Sequence, residues 1–221
     1  MAKKQFIVIG MGRFGQSVAK ALASLGQEVL AVDSDEALVG EIAPYVTHAV
    51  QADAADEKAL AALGIRNFDV AVVTIGDNIQ ASILVTMLCK EMGVGFVLAK
   101  AVSELHGKVL YKTGADRVVY PERDMGMRVA HNLADSNILD YIEIAGDLRI
   151  VDVAALPAWE NKSLLELDFR KRYGLNVIAI KKKNKEMNTA PHGEDVIEKD
   201  DMLIVVGNKE SIVRMETVTK K

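Results

Sequence analysis

Gly10-Met11-Gly12-Arg13-Phe14-Gly15 carries the clearest chemical signal in the chain. It follows the apolar run Phe6 to Ile9 and opens a stretch of helical periodicity. Asp33 stands roughly twenty residues further on, at the end of a second apolar run, Glu28 to Val32. In that context each glycine has a task. Gly10 permits a tight turn, Gly12 lets backbone approach a pyrophosphate, and Gly15 lets helix and strand pack closely. The helix start adds unpaired N–H groups and a partial positive charge for phosphates. A carboxylate at Asp33 accepts hydrogen bonds from both ribose hydroxyls and repels a 2′-phosphate, which disfavours NADPH. These residues predict a dinucleotide or adenine nucleotide. Set against this is a purely architectural account, in which the glycines make a close strand–helix crossing and Asp33 caps the next helix.

Two neighbouring positions have two accounts each. Arg13 adds a cation beside the phosphates, useful for a terminal phosphate or for reaching a neighbouring subunit's site, and it equally suits a solvated first-turn arginine. Asp53 stands at the equivalent strand end one unit later, within reach of an adenine or ribose edge, and helix capping explains it as well. Groups for turnover are sparse. His48, His106, His131 and His192 fall in separate segments without partners at metal-ligand spacing. No tyrosine is followed four residues later by lysine, and the second half offers no clear proton donor for hydride chemistry. A binding module fits better than the alternative, an NAD-dependent oxidoreductase.

Bulk composition narrows the setting. With 27 Lys+Arg against 31 Asp+Glu the net charge is −4, so no single-sign field argues for nucleic acid or an anionic membrane. The single cysteine, Cys89, sits in an apolar stretch, which excludes an intrachain disulfide and suits a reducing, cytoplasmic compartment. Met1-Ala2-Lys3-Lys4 before the first apolar run superficially resembles a signal peptide, but the run breaks into glycines and reads as a strand. No apolar stretch approaches the roughly twenty residues of a spanning helix.

The elements that must position these residues alternate as βα units. Strands are expected at Phe6–Ile9, Glu28–Val32, His48–Gln51, Val70–Thr74, Phe96–Ala99 and Val118–Tyr120, with helices at Phe14–Leu25, Asn78–Met92 and Ser103–Thr113. The first part, residues 1–120, is therefore an α/β, Rossmann-type parallel-sheet lobe. Pro121 suits the first turn of a helix to about Leu133, and residues 121–137 form a crossover helix. Residues 138–221 read as a small α+β lobe, with strands at Leu139–Ile144, Ile150–Ala155, Val177–Ile180 and Met202–Val206 and helices at Leu164–Phe169 and Ser211–Thr217. The basic run Lys181 to Lys185 is expected to be a solvated hairpin turn.

The motifs Ile9 to Gly15, Ala31-Val32-Asp33, Leu63 to Asp69, Gly76-Asp77-Asn78-Ile79-Gln80-Ala81-Ser82, Gly114-Ala115-Asp116-Arg117 and Tyr120 to Gly126 together go beyond a generic pattern. Along the whole chain the sequence resembles the RCK (regulator of K+ conductance) subunits of Ktr/Trk-type potassium-uptake systems, of the KtrA/KtrC kind. The resemblance implies an RCK-N lobe, a crossover helix and a TrkA-C (RCK-C) lobe. It also implies a homo-oligomer, an octameric ring, docked from the cytoplasm on an integral-membrane potassium-translocating subunit that ATP opens and ADP closes. Nucleotide contacts, to ATP/ADP or alternatively NAD/NADH, are then expected at Gly10, Met11, Gly12, Arg13, Phe14, Gly15, Asp33, Ser34, Asp53, Ala54, Ile75, Gly76, Lys100 and Glu122. By the same analogy Arg13 reaches the adjacent subunit's terminal phosphate. Glu122 binds a divalent cation such as Mg or Ca at the subunit interface, where without the family it is an acidic residue favoured in a helix's first turn. Leu164 to Ile180 resembles the segment that binds cyclic di-AMP, with contacts at Phe169, Arg170, Asn176 and Pro191. Phe169 stands where a branched aliphatic residue is usual, which narrows that pocket. An ordinary packed helix and strand with a surface arginine accounts for the same segment.

Overall fold

The computed structural model of the chain describes residues 4–134 and 138–219. The expected start at Met1-Ala2-Lys3 and the end of the crossover segment, residues 135–137, lie outside the described residues. The chain divides into two compact units between Arg123 and Asp124.

In the first unit β1 (Gln5–Ile9), α1 (Arg13–Ser24), β2 (Glu28–Asp33), α2 (Glu36–Ile42), β3 (His48–Gln51), α3 (Glu57–Ala62), β4 (Val70–Val73), α4 (Ile79–Glu91), β5 (Phe96–Lys100), α5 (Glu104–Lys112) and β6 (Arg117–Val119) follow one another. The strands form one parallel sheet in the order β3-β2-β1-β4-β5-β6, so the winding reverses between β1 and β4. This is the doubly wound α/β arrangement, whose ligands sit beyond the carboxyl ends of the strands at the reversal. The six expected strands are present, with ends shifted by a residue or so. Helices α2 and α3 span only 7 and 6 residues, too short for apolar periodicity to mark them; Asp35 and Asp56 begin them by accepting from Ala37 N–H and Lys58 N–H.

Alternation along β1 feeds two cores. Ile7 and Ile9 pack with Val85 and Cys89 of α4 and Leu110 of α5, while Val8 packs with Ala19 of α1 and Ile42 of α2. A strand covered on both faces reads as a continuous apolar run, as here. Cys89 is fully buried and its thiol is pushed up to about 12 by desolvation, which leaves it an apolar filler. His106 is also buried. Its Nδ1 accepts from Val102 N–H at 3.3 Å, its Nε2 has no partner among the described residues, and burial lowers its pKa.

Helix α6 (Pro121–Ala134) crosses the division between the units. The second unit continues with β7 (Ile138–Ala145), β8 (Leu148–Ala154), β9 (Lys162–Ser163), α7 (Leu164–Leu167), α8 (Phe169–Tyr173), β10 (Asn176–Lys181), β11 (Met187–Asn188), β12 (Val196–Ile197), β13 (Met202–Asn208) and α9 (Lys209–Thr219). An antiparallel sheet runs β11-β10-β13-β8-β7, and β9 pairs with β12. Its core is a ring cluster: Trp159 meets Phe169 edge-on at 4.9 Å between centroids, Tyr173 packs on both, and Trp159 Nε1 donates to the Tyr173 hydroxyl at 3.3 Å. The single helix expected at Leu164–Phe169 is instead two short ones. Asp168 takes φ +42 between them, and a Ser163–Glu166 capping box fixes the first.

The lysine run forms the expected hairpin turn, but Lys182 is not simply solvated. Its Nζ donates to the fully buried carboxylate of Asp201 at 2.8 Å and to Val196 O at 3.0 Å. Asp201 Oδ2 also accepts from Glu198 N–H, and its Oδ1 has no partner among the described residues. Breaking a buried pair from one side strands the other charge. Lys182→Met should therefore lose about 3 kcal/mol of stability, the lower end for such pairs because Lys182 keeps some solvent contact. Urea unfolding checks this; an unchanged midpoint would refute it. For His106, the folded pKa lies below the unfolded value near 6.5, so the unfolded chain takes up the proton first and stability falls as pH drops below about 6.5. His106→Gln should flatten that decline between pH 7 and 5 in unfolding midpoints; an identical slope would contradict the assignment.

Candidate functional site

Strand register builds the site. Val50, Val32, Ile9, Val73, Ala99 and Val118 pair across all six strands in one transverse row. One position further along come Asp33, Gly10, Thr74 and Lys100, side by side at the carboxyl edge where the winding reverses. A cleft of about 420 Å³ opens there.

The glycine turn is held at four points. Gly10 N–H donates to Val32 O at 2.8 Å and Gly10 adopts φ +98, a conformation that side chains disfavour. The Thr74 hydroxyl bonds to Gly10 O at 2.6 Å and lies 3.0 Å from Ile9 O. Behind it, a Cβ on Gly15 would strike the Gly10 carbonyl and approach Thr74 Oγ1 to 2.6 Å, so only glycine lets α1 cross β1 this closely. Gly12 begins α1 with no side-chain cap, and a Cβ on it would meet open space, so no side chain caps the first N–H groups of α1, which have no partner within the helix. Asp33 is the fourth point: its Oδ2 accepts from Met11 N–H at 2.5 Å and its Oδ1 from Asp35 N–H at 2.9 Å. A carboxylate has about four acceptor sites, so capacity for ribose hydroxyls remains.

Helix capping therefore falls to other residues. Asp35 caps α2 and Asp56 caps α3, while Asp33 and Asp53 make local turns, the latter through Ala55 N–H at 2.9 Å. Of the residues expected in the site, Gly10, Gly12, Asp33, Ser34, Asp53, Ala54, Ile75 and Gly76 line the cleft. Met11 takes part only through its N–H, because its side chain is fully buried in the core. Phe14 is elsewhere: its ring lines a separate apolar groove with Phe6, Val18 and Leu22. Arg13 is exposed on the first turn of α1 and does not line its own chain's cleft.

Lys100 and Glu122 form an ion pair, Nζ to Oε1 at 2.5 Å. The ammonium lies 3.5 Å from where a Gly76 side chain would begin, so it stands beside the cleft wall. The bond from Lys100 is the main reason the Glu122 carboxyl is held below its usual range. Within one chain, the described residues hold no group of three His, Cys, Asp or Glu placed for a metal ion. Sequence reasoning missed Thr74, Asp77 and Asn78, which also line the cleft. The signal for Thr74 was a hydroxyl closing the apolar run Val70 to Val73.

In the second unit a cavity of about 620 Å³ is bordered by Phe169, Arg170 and Asn176, while Pro191 is not among its lining residues. Arg170 Nε and Nη2 both donate to Asn176 Oδ1, at 3.0 and 2.8 Å. Phe169 is only 4% exposed and its ring is turned into the aromatic core, so it borders the cavity without filling it.

Thr74→Val keeps the shape and removes the hydroxyl donor to Gly10 O. It should cost about 1–3 kcal/mol in denaturant unfolding, the price of an unmet buried polar group. A loss below a few tenths would mean the hydroxyl is not what pins the turn.

Residues 6–121 match the TrkA-N domain and residues 148–218 the TrkA-C domain. Ktr system potassium uptake protein C of Bacillus subtilis is 48% identical over 97% of this chain and 96% of its own length. Ktr system potassium uptake protein A of the same organism is 46% identical over 96% of each. Among solved structures, the GsuK channel bound to NAD has a TM-score of 0.69 at 18% identity; it covers 99% of this chain, which spans 40% of that longer one. GsuK bound to ADP gives 0.53 at 15% identity over 62% of this chain and 36% of that chain. Those two likenesses concern the fold. Identity near one half along nearly the full length, with a TrkA-N domain followed by a TrkA-C domain, settles the kinship: the chain belongs to the family of Ktr-system potassium uptake proteins.

Proposed function

We propose that the chain is a nucleotide-sensing regulatory subunit that binds ATP or ADP in the cleft and gates a potassium-translocating membrane partner. The observation that carries this is the shared edge of the sheet, where the glycine turn, the open start of α1 and the Asp33 carboxylate converge on one cleft. Phosphates suit the uncapped N–H groups of α1 and a ribose suits the remaining acceptor sites of Asp33. The GsuK channel, a structural neighbour, is described bound to NAD and bound to ADP, and NAD/NADH is the alternative occupant here. The partner is inferred from the potassium-uptake relatives, since no described helix is long and apolar enough to cross a membrane. The subunit works on the cytoplasmic face.

Nucleotide identity acts by biasing two arrangements of a ring, because a ligand shifts an equilibrium only by its difference in affinity for the two states. In an octameric ring the exposed Arg13 is free of its own cleft and suited to a neighbour's terminal phosphate. A divalent cation would need Glu122 together with oxygens from the phosphates or a second subunit, as a single carboxylate is an incomplete shell for Mg or Ca. Cyclic di-AMP is the ligand proposed for the cavity at Arg170 and Asn176, whose bidentate contact leaves further guanidinium donors for a phosphate. No catalytic role is proposed, because the Asp33 and Thr74 groups at the strand ends are engaged in holding the turn.

Calorimetry with ATP and ADP, paired with small-angle scattering, should give different affinities and different ring dimensions. Asp33→Ala should weaken adenine nucleotides by roughly tenfold or more, through lost ribose contacts and a loosened Met11 N–H. Indistinguishable ATP and ADP responses would sink the sensing mechanism. Steady turnover of NADH with a carbonyl substrate would favour an oxidoreductase instead.

A further inference from the structure

Three carboxylates line the cleft, those of Asp33, Asp53 and Asp77, and among its described lining residues there is no lysine, arginine or histidine. Two of the three hold backbone turns: Asp33 accepts from Met11 and Asp35 N–H, and Asp53 accepts from Ala55 N–H. Asp77 holds none. It is exposed between β4 and α4 and makes no hydrogen bond or ion pair among the described residues. The start of α4 is capped by its neighbour Asn78, which accepts from Ala81 N–H at 3.0 Å. Local structure therefore gives the Asp77 carboxylate no task, but its place across the sheet does. Asp33, Gly10 and Thr74 stand side by side at the ends of β2, β1 and β4, two strand spacings or about 10 Å from first to last. A nucleotide with its ribose at Asp33 and its first phosphates at the start of α1 has already crossed from β2 to β1. Each further phosphate continues in that direction, toward the β4 loop at Gly76 and Asp77.

We propose that Asp77 is the residue that discriminates phosphate number in this cleft: its carboxylate stands against the third phosphate of a triphosphate and bears little on shorter chains. This rests on the reading of the cleft as a nucleotide site and adds what separates its ligands. The favourable charge at the glycine turn is the start of α1, about half an elementary charge whose effect falls off within a turn. It serves the phosphates nearest Gly12 and does not extend to the loop after β4. There a terminal phosphate meets a carboxylate and no cationic side chain among the lining residues. A repulsive group against one ligand separates close analogues as well as an added contact to the other. ADP keeps the contacts at Asp33 and α1, whereas ATP makes the same contacts and adds a repulsion. The two nucleotides thus differ in affinity at the cleft itself. ATP also has more to gain than ADP from any arrangement that brings a cation to this end of the cleft, which is the differential affinity that a sensor needs.

Calorimetric titrations of the full chain with ATP, ADP and AMP, in chelator-treated buffer of low ionic strength, test this on wild type, Asp77→Asn and Asp77→Glu. Asp77→Asn should tighten ATP by roughly two- to fivefold, the scale of one exposed charge pair, with a smaller gain for ADP and none for AMP. The gain should fade in high salt, because exposed charges are screened. Asp77→Glu keeps the charge and should bind ATP as wild type does. Urea midpoints of both variants should match wild type, since the side chain is exposed and holds no turn. Unchanged or weaker ATP binding by Asp77→Asn overturns the proposal. So does an equal gain for ATP and AMP, which would mean a general change in the cleft, and so does a gain by Asp77→Glu. If wild type binds all three nucleotides and Asp77→Asn alters none, only the role of Asp77 falls; if no variant binds any nucleotide, the nucleotide reading falls with it.

Discussion

The close crossing of β1 and α1 at Gly10 and Gly15 is the constraint on which the first unit depends. Helix and strand approach until the Gly10 carbonyl occupies the space where a Gly15 side chain would start. A carbonyl pressed that close to a helix is shielded from water and needs a donor, and the Thr74 hydroxyl supplies it from the next strand of the sheet. Asp33 completes the brace from the other side by taking Met11 N–H. The turn is therefore fixed by β2 and β4 before any ligand arrives, which is the preorganisation that makes binding inexpensive in entropy.

The same economy assigns two tasks to single groups. Asp33 ties the glycine turn and keeps acceptor sites facing the cleft. Lys100 answers the charge of Glu122 while standing beside the cleft wall.

The second unit rests on a different device. Within its core, three aromatic rings are in mutual contact, two pairs edge-on and one tilted, each pair worth about 0.5–1.5 kcal/mol beyond its burial. Asp168, in the left-handed region, divides what would be one helix so that Phe169 and Tyr173 reach Trp159 while Arg170 turns outward to Asn176. Lys182 and Asp201 then lock the hairpin onto the strand edge.

The sequence by itself determined the sheet class, the glycine turn, Asp33 and the whole-length likeness to the RCK subunits. It could do so because glycine spacing, apolar runs and strand ends are local properties of the chain. Short helices such as α2 and α3 escaped it, being less than two or so turns of periodic signal. Only the tertiary structure decided that Asp35 and Asp56 are the caps, which leaves Asp33 and Asp53 to the cleft. The same holds for Thr74 as the pin of the turn, Phe14 in another groove, and Glu122 on Lys100. Each of these depends on strand register, which places residues far apart in sequence, such as Gly10 and Thr74, in neighbouring strands at one sheet edge. Register follows from the sum of all cross-strand packing rather than from any local run of residues.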